Sequence, residues 1–168
     1  MRVRVLRGDL AQTTADVLVR STVPRFETPA ADPLLQLAGP EVRAACSELR
    51  RLAFPRGLPV GEAVSTAAGG LPARWLIHVA VPVFTTHADR EYQLTAAYRS
   101  VLRVADELGA RTVALQPFGS TYPYWPLDQA IRCAFGTLRG TPTAVRDLFL
   151  VLKTPAACEA YAEALARR

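Results

Sequence analysis

Hydrophobic and polar residues alternate along the chain with two different periods, that of a strand and that of a helix, and each change of period marks the boundary of a predicted element. Residues 2–7 alternate with a period of two, which predicts a half-buried strand. Residues 16–21 (DVLVRS) and 75–81 (WLIHVAV) are more continuously apolar, which predicts strands buried on both faces. The longest helical period covers residues 89–108 and ends before Gly109, a residue typical of helix ends.

The complete pattern predicts eleven elements in the order β-β-α-α-β-β-α-β-α-β-α. Two helix starts are marked by a capping residue before proline, at Asp32–Pro33 and Thr154–Pro155. Helices that alternate with buried strands favour an α/β fold, with a mostly parallel sheet covered on both faces. We find no linker, repeat or low-complexity segment, so we expect residues 1–168 to form a single domain. The remaining predicted elements are helices at 33–38, 40–52 and 127–138 and strands at 61–68, 112–116 and 148–152.

Composition restricts where the protein works. Half of the residues are apolar and 21% are charged, which is typical of a globular protein. No apolar run reaches the roughly 20 residues of a membrane helix. The N-terminal MRVRVLRGD lacks the apolar run of a signal peptide. We therefore expect a soluble, cytoplasmic protein with no membrane partner.

The cysteines and histidines do not indicate a metal or a cofactor. Cys46, Cys133 and Cys158 lie far apart in apolar helical contexts, which predicts small buried side chains. Neither His78 nor His87 has a partner at the spacing of metal ligands. We interpret His78, within a buried strand, as a core histidine whose hydrogen bonds are satisfied.

The charge is strongly biased towards arginine. The net charge is +5, with Lys153 as the only lysine among 20 basic residues, and asparagine is absent. These biases indicate a GC-rich, bacterial genome and are compatible with a thermophile. Because the basic residues are spread along the sequence, they favour an anionic ligand only weakly and do not favour nucleic acid as a partner.

Three loops are predicted at the edge where ligands bind in open α/β sheets, beyond the carboxyl ends of the strands. They are residues 8–10 (GDL), 21–32 and 117–126 (PFGSTYPYWP). Asp9 is either a turn-capping carboxylate or an acceptor for an exocyclic amine. The aromatic residues of the third loop either stack on a sugar or base or cover the edge of the sheet.

Several segments also carry a resemblance to a known family. They are GDL at 8–10, DVLV at 16–19, LAGPEVRAAC at 37–46, GEAVSTAAGGLPARWLIHVAVP at 61–82 and TVALQPFGST at 112–121. The chain resembles the macrodomains, which bind ADP-ribose, over nearly its whole length. Segment 61–82 is the most specific because strand, turn and strand agree in order and spacing. The resemblance implies a three-layer α/β/α fold with a mixed, mainly parallel sheet of about six strands.

The resemblance implies one retained and one altered part of the binding site. Asp9 matches the aspartate that receives the adenine amine of ADP-ribose. The family's second strand ends in NAAN, and the second asparagine, which orients the distal ribose, falls on Val23 here. The glycine run that wraps the diphosphate is replaced by FETPA at 26–30. The aspartate that some hydrolases use falls at about Ala31, next to Asp32.

The second phosphate loop is also altered. It normally contains STGIYGYP and here contains STYPYWP, one residue shorter and without glycine. Ser120 and Thr121 are kept, and Tyr124 matches the aromatic residue that covers the ribose. Because proline removes an amide donor and fixes φ, Pro29 and Pro123 should prevent the usual anion cradle.

Arginine is the predicted replacement for the missing cradle. Arg20 and Arg25 could bind phosphate through their guanidinium groups. Arg20 ends a buried strand and therefore needs a partner. That partner is either a bound phosphate or an internal carboxylate from Asp9, Glu27 or Asp32.

The sequence therefore predicts a binding module for ADP-ribose or a related adenine nucleotide, without efficient hydrolase activity. An ADP-ribosylated protein is a further expected partner. A ligand-free scaffold that acts through protein contacts, and a hydrolase with relocated catalytic residues, remain as alternatives. Glu27 and Asp32 are the only catalytic candidates. The predicted ligand-binding residues are Asp9, Leu10, Arg20, Ser120, Thr121, Tyr122 and Tyr124.

Overall fold

The computed structural model describes residues 1–121 and 124–167, and its elements follow the predicted order. The strands are β1 (Arg2–Arg7), β2 (Val17–Thr22), β3 (Ala63–Ala67), β4 (Trp75–Ala80), β5 (Thr112–Leu115) and β6 (Asp147–Leu152). The helices are α1 (Pro33–Ala38), α2 (Pro40–Leu52), α3 (Glu91–Glu107), α4 (Leu127–Gly140) and α5 (Pro155–Ala166), with a short 3-10 helix at Leu10–Gln12.

The six strands form one sheet in the order β1-β6-β5-β2-β4-β3. All neighbouring strands are parallel except β3, which pairs antiparallel with β4 at one edge. The predicted mixed, mainly parallel sheet of about six strands is therefore confirmed. Strand β2 is central, so the residues that follow it emerge in the middle of the carboxyl edge.

The sheet separates two apolar layers. Val17 and Val19 of β2 pack in the cluster that contains α3, α4 and α5. Leu18 lies on the opposite face, with α1 and α2. Because both faces are covered, β2 is buried throughout, which explains its nearly continuous apolar sequence. The predicted three-layer α/β/α fold is confirmed.

The predicted helix ends are correct in their chemistry. Asp32 caps α1 by accepting hydrogen bonds from the amides of Leu34 and Leu35 at 3.0 and 3.2 Å. Gly109 follows α3 with φ of 69°, a conformation that favours glycine. The apolar face of α2 does not extend to its last residue: the helical spacing of Val42, Cys46, Leu49 and Leu52 predicts a buried Leu52, but Leu52 is 61% exposed. It is the last residue of α2, and Phe54 packs against the core beyond it.

The assignment of residues 1–168 to one domain stays a prediction, as does the cytoplasmic location. None of the helices in the described part of the chain is both long and apolar enough to cross a membrane.

Candidate functional site

A cleft of about 700 Å³ opens at the carboxyl edge of the sheet. The loops after β1, β2 and β5 all contribute to its lining, as the position of the strand ends predicts. It brings together Asp9, Leu10, Arg20 and Thr121 of the predicted ligand-binding residues. Gln116 and Lys153 also line it and were missed, although both directly follow parallel strands and the same strand-end rule would have found them.

Asp9 occupies one end of this cleft and has two functions available. Its Oδ1 accepts a hydrogen bond from the amide of Ala11 at 3.0 Å and so caps the short 3-10 helix. Its Oδ2 lies 3.9 Å from Nζ of Lys153, and the side chain is 45% exposed. Leu10 beside it is buried in the core and also borders the cleft. Capping thus uses one carboxylate oxygen and leaves the other at the cleft.

Arg20 is paired internally. Its side chain is only 4% exposed, and its Nε donates to Oδ2 of Asp32 at 2.6 Å. Its Nη2 donates to the carbonyl oxygen of Glu27 at 2.7 Å. Its Nη1 is buried and has no hydrogen-bond partner among the described residues. Of the two partners predicted for Arg20, the structure shows the internal carboxylate.

The Arg20–Asp32 pair does not close the site, because the cleft of about 700 Å³ remains beside it. The pair also determines what Asp32 can do. One carboxylate oxygen caps α1 and the other binds Arg20, and the side chain is 15% exposed. Both oxygens are therefore occupied by internal hydrogen bonds, which leaves Asp32 poorly placed to act as a general base.

His78 lies beside Arg20 in the sheet and on the same face, since the two residues are paired in register between β2 and β4. It is fully buried, as predicted. Its Nε2 is 3.0 Å from Oγ1 of Thr66 and 3.6 Å from Sγ of Cys46. Its Nδ1 has no partner in the described residues, so the prediction of a fully satisfied histidine was wrong for one ring nitrogen.

The chemistry of this buried group follows from its surroundings. Burial, together with the nearby charge of Arg20, lowers the pKa of His78 to about 3. Burial also raises the pKa of the Cys46 thiol. The histidine is therefore neutral and the cysteine protonated at neutral pH, so neither can act as the acid–base or nucleophilic group of a catalytic pair.

The loop at residues 23–31, which replaces the expected glycine run, is anchored by an aromatic side chain. Phe26 has φ of 53° and is fully buried, in edge contact with Phe54 and with the ring of His78. Gly57 allows the close approach behind it, because a Cβ there would lie 2.3 Å from the carbonyl oxygen of Pro24. The loop is thus packed into the core rather than free to wrap a ligand.

Side chains bind the carbonyl groups of this loop. Arg43 on α2 donates to the carbonyl oxygens of Thr28, Pro29 and Ala30 at 3.1, 3.2 and 3.4 Å. Gln36 also donates to Ala30, as Arg20 does to Glu27. In a planar trans peptide the amide points opposite to the carbonyl of the preceding residue.

This arrangement has a direct consequence for anion binding. The amides of Thr28, Ala30 and Ala31 point away from the side chains that hold the carbonyls, and have no acceptor among the described residues. Pro29 and Ala31 line the cleft. Pro29 thus removes one donor, while three neighbouring amides remain without an internal acceptor. The expectation that Pro29 and Pro123 prevent the usual cradle stays a prediction.

The aromatic loop differs more from its prediction. Trp125 is buried, donates from Nε1 to the carbonyl of Pro82 at 2.9 Å and packs edge-on against Phe84, so it covers the sheet edge rather than stacking on a ligand. Gly119, with φ of 84°, lies under it, since a Cβ there would come 2.7 Å from Cβ of Trp125.

The remaining predicted residues of this loop are not gathered in the cleft. Ser120 is not among the residues that line it, and both its amide and its hydroxyl donate to the carbonyl of Pro117. Tyr124 does not line it either and is 68% exposed. Tyr122 and Pro123 lie outside the described residues. Among the described residues of this loop, Thr121 alone lines the cleft.

Glu27 and Arg25, the two remaining charged candidates, are not among the residues that line the cleft. Glu27 is half exposed, with its Oε1 3.8 Å from Nη1 of the exposed Arg25. Within residues 1–121 and 124–167 no three His, Cys, Asp or Glu side chains are grouped as a metal site requires.

Comparisons with known proteins place the chain in a family. The family model described as "Macro domain" matches residues 28–134. The chain belongs to the macro domain family. It is 38% identical over 165 residues to a macro domain-containing protein of Streptomyces coelicolor, covering 97% of this chain and 98% of that protein.

Two further matches were found, one in sequence and one in fold. A protein of Escherichia fergusonii named O-acetyl-ADP-ribose deacetylase is 32% identical over 140 residues, which cover 82% of this chain and 78% of that protein. A structure of the Oceanobacillus iheyensis macrodomain with ADP matches with a TM-score of 0.89 at 22% identity, covering 98% of this chain and 90% of that chain. The second likeness shows the fold, and the resemblance to macrodomains is confirmed.

Proposed function

We propose that this protein binds ADP-ribose, or a related adenine nucleotide with a diphosphate, in the cleft at the carboxyl edge of the sheet. One observation carries the proposal: a single cleft is lined by Asp9, whose Oδ2 takes no part in the helix cap, and by Ala31, whose backbone amide has no acceptor among the described residues, beside the buried Arg20. Its volume of about 700 Å³ is within the range of small-molecule sites. The ligand named with the Oceanobacillus macrodomain, ADP, is of the same class.

The adenine is assigned to the Asp9 end. Oδ2 of Asp9 does not take part in the helix cap, so it can accept a hydrogen bond from an exocyclic amine while Oδ1 keeps its bond to Ala11. The neighbouring Leu10 offers an apolar edge for the base. A hypoxanthine base has no such amine, which makes Asp9 a determinant of base specificity.

The diphosphate is assigned to the segment 28–31. The amides of Thr28, Ala30 and Ala31 have no acceptor among the described residues, and of these three residues Ala31 lines the cleft. Such amides are donors of the type that backbone nests offer to anions. Arg20 is too buried to be the main direct contact, and its contribution is a positive charge beneath the cleft and a fixed loop. Lys153 adds an exposed positive charge on the Asp9 side.

We further propose that efficient hydrolysis is absent. Asp32 has both oxygens engaged, Glu27 does not line the cleft and lies beside the exposed Arg25, and Val23 and Ala31 offer no polar side chains. The named activity of the Escherichia relative favours hydrolysis as the second candidate. The Arg20–Asp32 pair favours a ligand-free scaffold, which we place after binding because the pair leaves the cleft open.

Calorimetric titration with ADP-ribose tests the binding proposal. Asp9→Asn is the informative variant, because its side-chain oxygen can still cap Ala11 while its amide nitrogen cannot accept from adenine. Asp128→Asn is the matched control, since Asp128 is an exposed carboxylate on α4 outside the cleft. We expect weaker binding for Asp9→Asn alone. Absence of saturable binding by the wild-type protein at about 1 mM ligand would refute the proposal.

A further inference from the structure

The fold brings Arg25 beside three arginines that lie close together in the sequence. A surface depression of about 870 Å³ is lined by Arg25, Arg50, Arg51 and Arg56, and among the described residues Glu27 is the one acidic residue that lines it. We call it the arginine depression. The basic residues are spread along the sequence as a whole, and this local group forms because the end of α2 and the loop after it are brought against the loop that follows β2.

Three arginines of the depression have no carboxylate partner, which also holds for several other arginines of the described chain, and what sets these three apart is that they line one depression. Arg103 and Arg132 each pair with two carboxylates, and Arg2 pairs with Asp147. In the described residues, Arg50, Arg51 and Arg56 have no carboxylate within 4.0 Å. Arg50 and Arg51 lie in the last turn of α2, where positive charge is favourable, but the helix dipole gives no reason for Arg25 and Arg56.

The depression adjoins the proposed ligand cleft. A smaller pocket of about 240 Å³, which includes Val23, shares Arg20, Pro29 and Asp32 with the cleft. The same pocket shares Glu27 with the arginine depression. Shared lining residues therefore place the small pocket between the cleft and the arginine depression. With adenine at Asp9, the far ribose lies towards the small pocket, and whatever is attached to that ribose lies over the arginines.

We infer that the protein recognises ADP-ribose attached to an acidic segment of a polypeptide, and that the arginine depression binds the acidic side chains beside the attachment point. This inference rests on the proposed function. Guanidinium groups match carboxylates in bidentate geometry, which gives the depression charge and shape complementarity to Asp and Glu side chains. Among the described residues no aromatic side chain lines it, whereas stacking platforms are typical of sites for single-stranded nucleic acid.

The test compares two twelve-residue peptides that carry ADP-ribose on a central serine, one flanked by three glutamates on each side and the other by glutamines. We expect the wild-type protein to bind the glutamate peptide about tenfold more tightly at low salt, the sum of several exposed ion pairs. Because exposed pairs are screened, the preference should shrink as salt rises. Free ADP-ribose serves as the reference ligand.

Variants separate this inference from the proposed function. Changing Arg50, Arg51 and Arg56 together to glutamine should abolish the preference and leave the affinity for free ADP-ribose unchanged. The matched control changes Arg103, Arg132 and Arg167 to glutamine, which alters the net charge equally and should keep the preference.

Equal binding of both peptides, or a preference that survives in the first variant, would overturn the inference while binding of free ADP-ribose upheld the proposed function. A protein that binds no free ADP-ribose would refute both. Tighter, salt-dependent binding of an unmodified oligonucleotide by the same three arginines would replace the acidic peptide with nucleic acid and so overturn the assignment.

Discussion

Removing the charge of Arg20 should destabilise the fold strongly, even though Arg20 lies at a ligand cleft. The side chains of Arg20 and Asp32 are 4% and 15% exposed, so the pair is shielded from water. Arg20→Met leaves the Asp32 carboxylate with only its two capping amides, and loses the bond to Glu27. Breaking a buried pair from one side typically costs 3–5 kcal/mol, and because the capping bonds remain we expect about 3 kcal/mol.

A double-mutant cycle distinguishes the pair from simple loss of packing. Asp32→Asn keeps a capping oxygen and leaves Arg20 as the uncompensated charge, so it should also cost about 3 kcal/mol. The double variant contains neither isolated charge, so its cost should fall short of the sum by about 2 kcal/mol. Arg132→Met is the control, because Arg132 belongs to an exposed pair with Asp128 worth about 0.5 kcal/mol or less.

Urea denaturation followed by circular dichroism measures these differences in the free energy of unfolding. In thermal denaturation, a loss of about 3 kcal/mol should lower the melting temperature by roughly 6–12 °C for a chain of this size. Strictly additive effects would refute a coupled pair. A melting temperature for Arg20→Met equal to that of the control would show that the buried ion pair contributes nothing to stability.

Three further predictions concern titration, specificity and activity. In the unfolded chain His78 binds a proton below its ordinary pKa of 6.5, whereas in the folded protein its pKa is about 3, so the free energy of unfolding should fall by about 1.4 kcal/mol for each pH unit between these values. Denaturation at several pH values should therefore show a shallower pH dependence in His78→Gln. An unchanged slope would contradict the buried neutral histidine. Asp9→Ala should weaken ADP-ribose binding by about 1.5–3 kcal/mol, and the wild-type protein should bind hypoxanthine analogues more weakly than ADP-ribose by a similar amount. Equal calorimetric affinities for adenine and hypoxanthine ligands would mean that Asp9 only caps its helix. Release of ADP-ribose from modified protein, or of acetate from O-acetyl-ADP-ribose, should stay near background, and turnover that disappears in Glu27→Ala or Asp32→Ala would show that the relocated carboxylates are catalytic.

The predicted order of elements follows from patterns that are local in the sequence. The apolar run of β2 is continuous because helices cover both faces of the sheet, and Asp32 precedes Pro33 because α1 needs a cap there. The same logic predicts the cleft, since loops after parallel strands meet at one edge. These features depend on neighbouring residues, so the sequence is sufficient to predict them.

The details of the site depend on contacts that sequence spacing does not encode. Arg43 lies on a helix face among other charged residues, and nothing local indicates that it holds three carbonyl groups of the 28–31 segment. The choice of Asp32 rather than Asp9 or Glu27 as the partner of Arg20 likewise depends on where α1 begins in space. Trp125 was open to two interpretations because burial is a tertiary property.

The backbone amides of the 28–31 segment could not be predicted as donors from the sequence. In the sequence of the 23–31 loop, Pro29 indicates a missing amide donor and so predicts no amide cradle. In the folded protein the carbonyls are held by Arg20, Gln36 and Arg43, and amides on either side of Pro29 are left as donors. Donor orientation results from these long-range contacts, so the composition of the loop alone was an insufficient guide.

The central claim is that the adenine and diphosphate of ADP-ribose bind between Asp9 and the 28–31 segment. The most direct measurement is a titration of the ¹⁵N-labelled protein with ADP-ribose, followed by the backbone amide resonances. We predict saturable shifts of the amides of Ala11, Thr28, Ala30 and Ala31, with little change at the exposed Arg103 on the far helix α3. Shifts confined to residues outside the cleft, or no shifts at saturating ligand, would contradict the account.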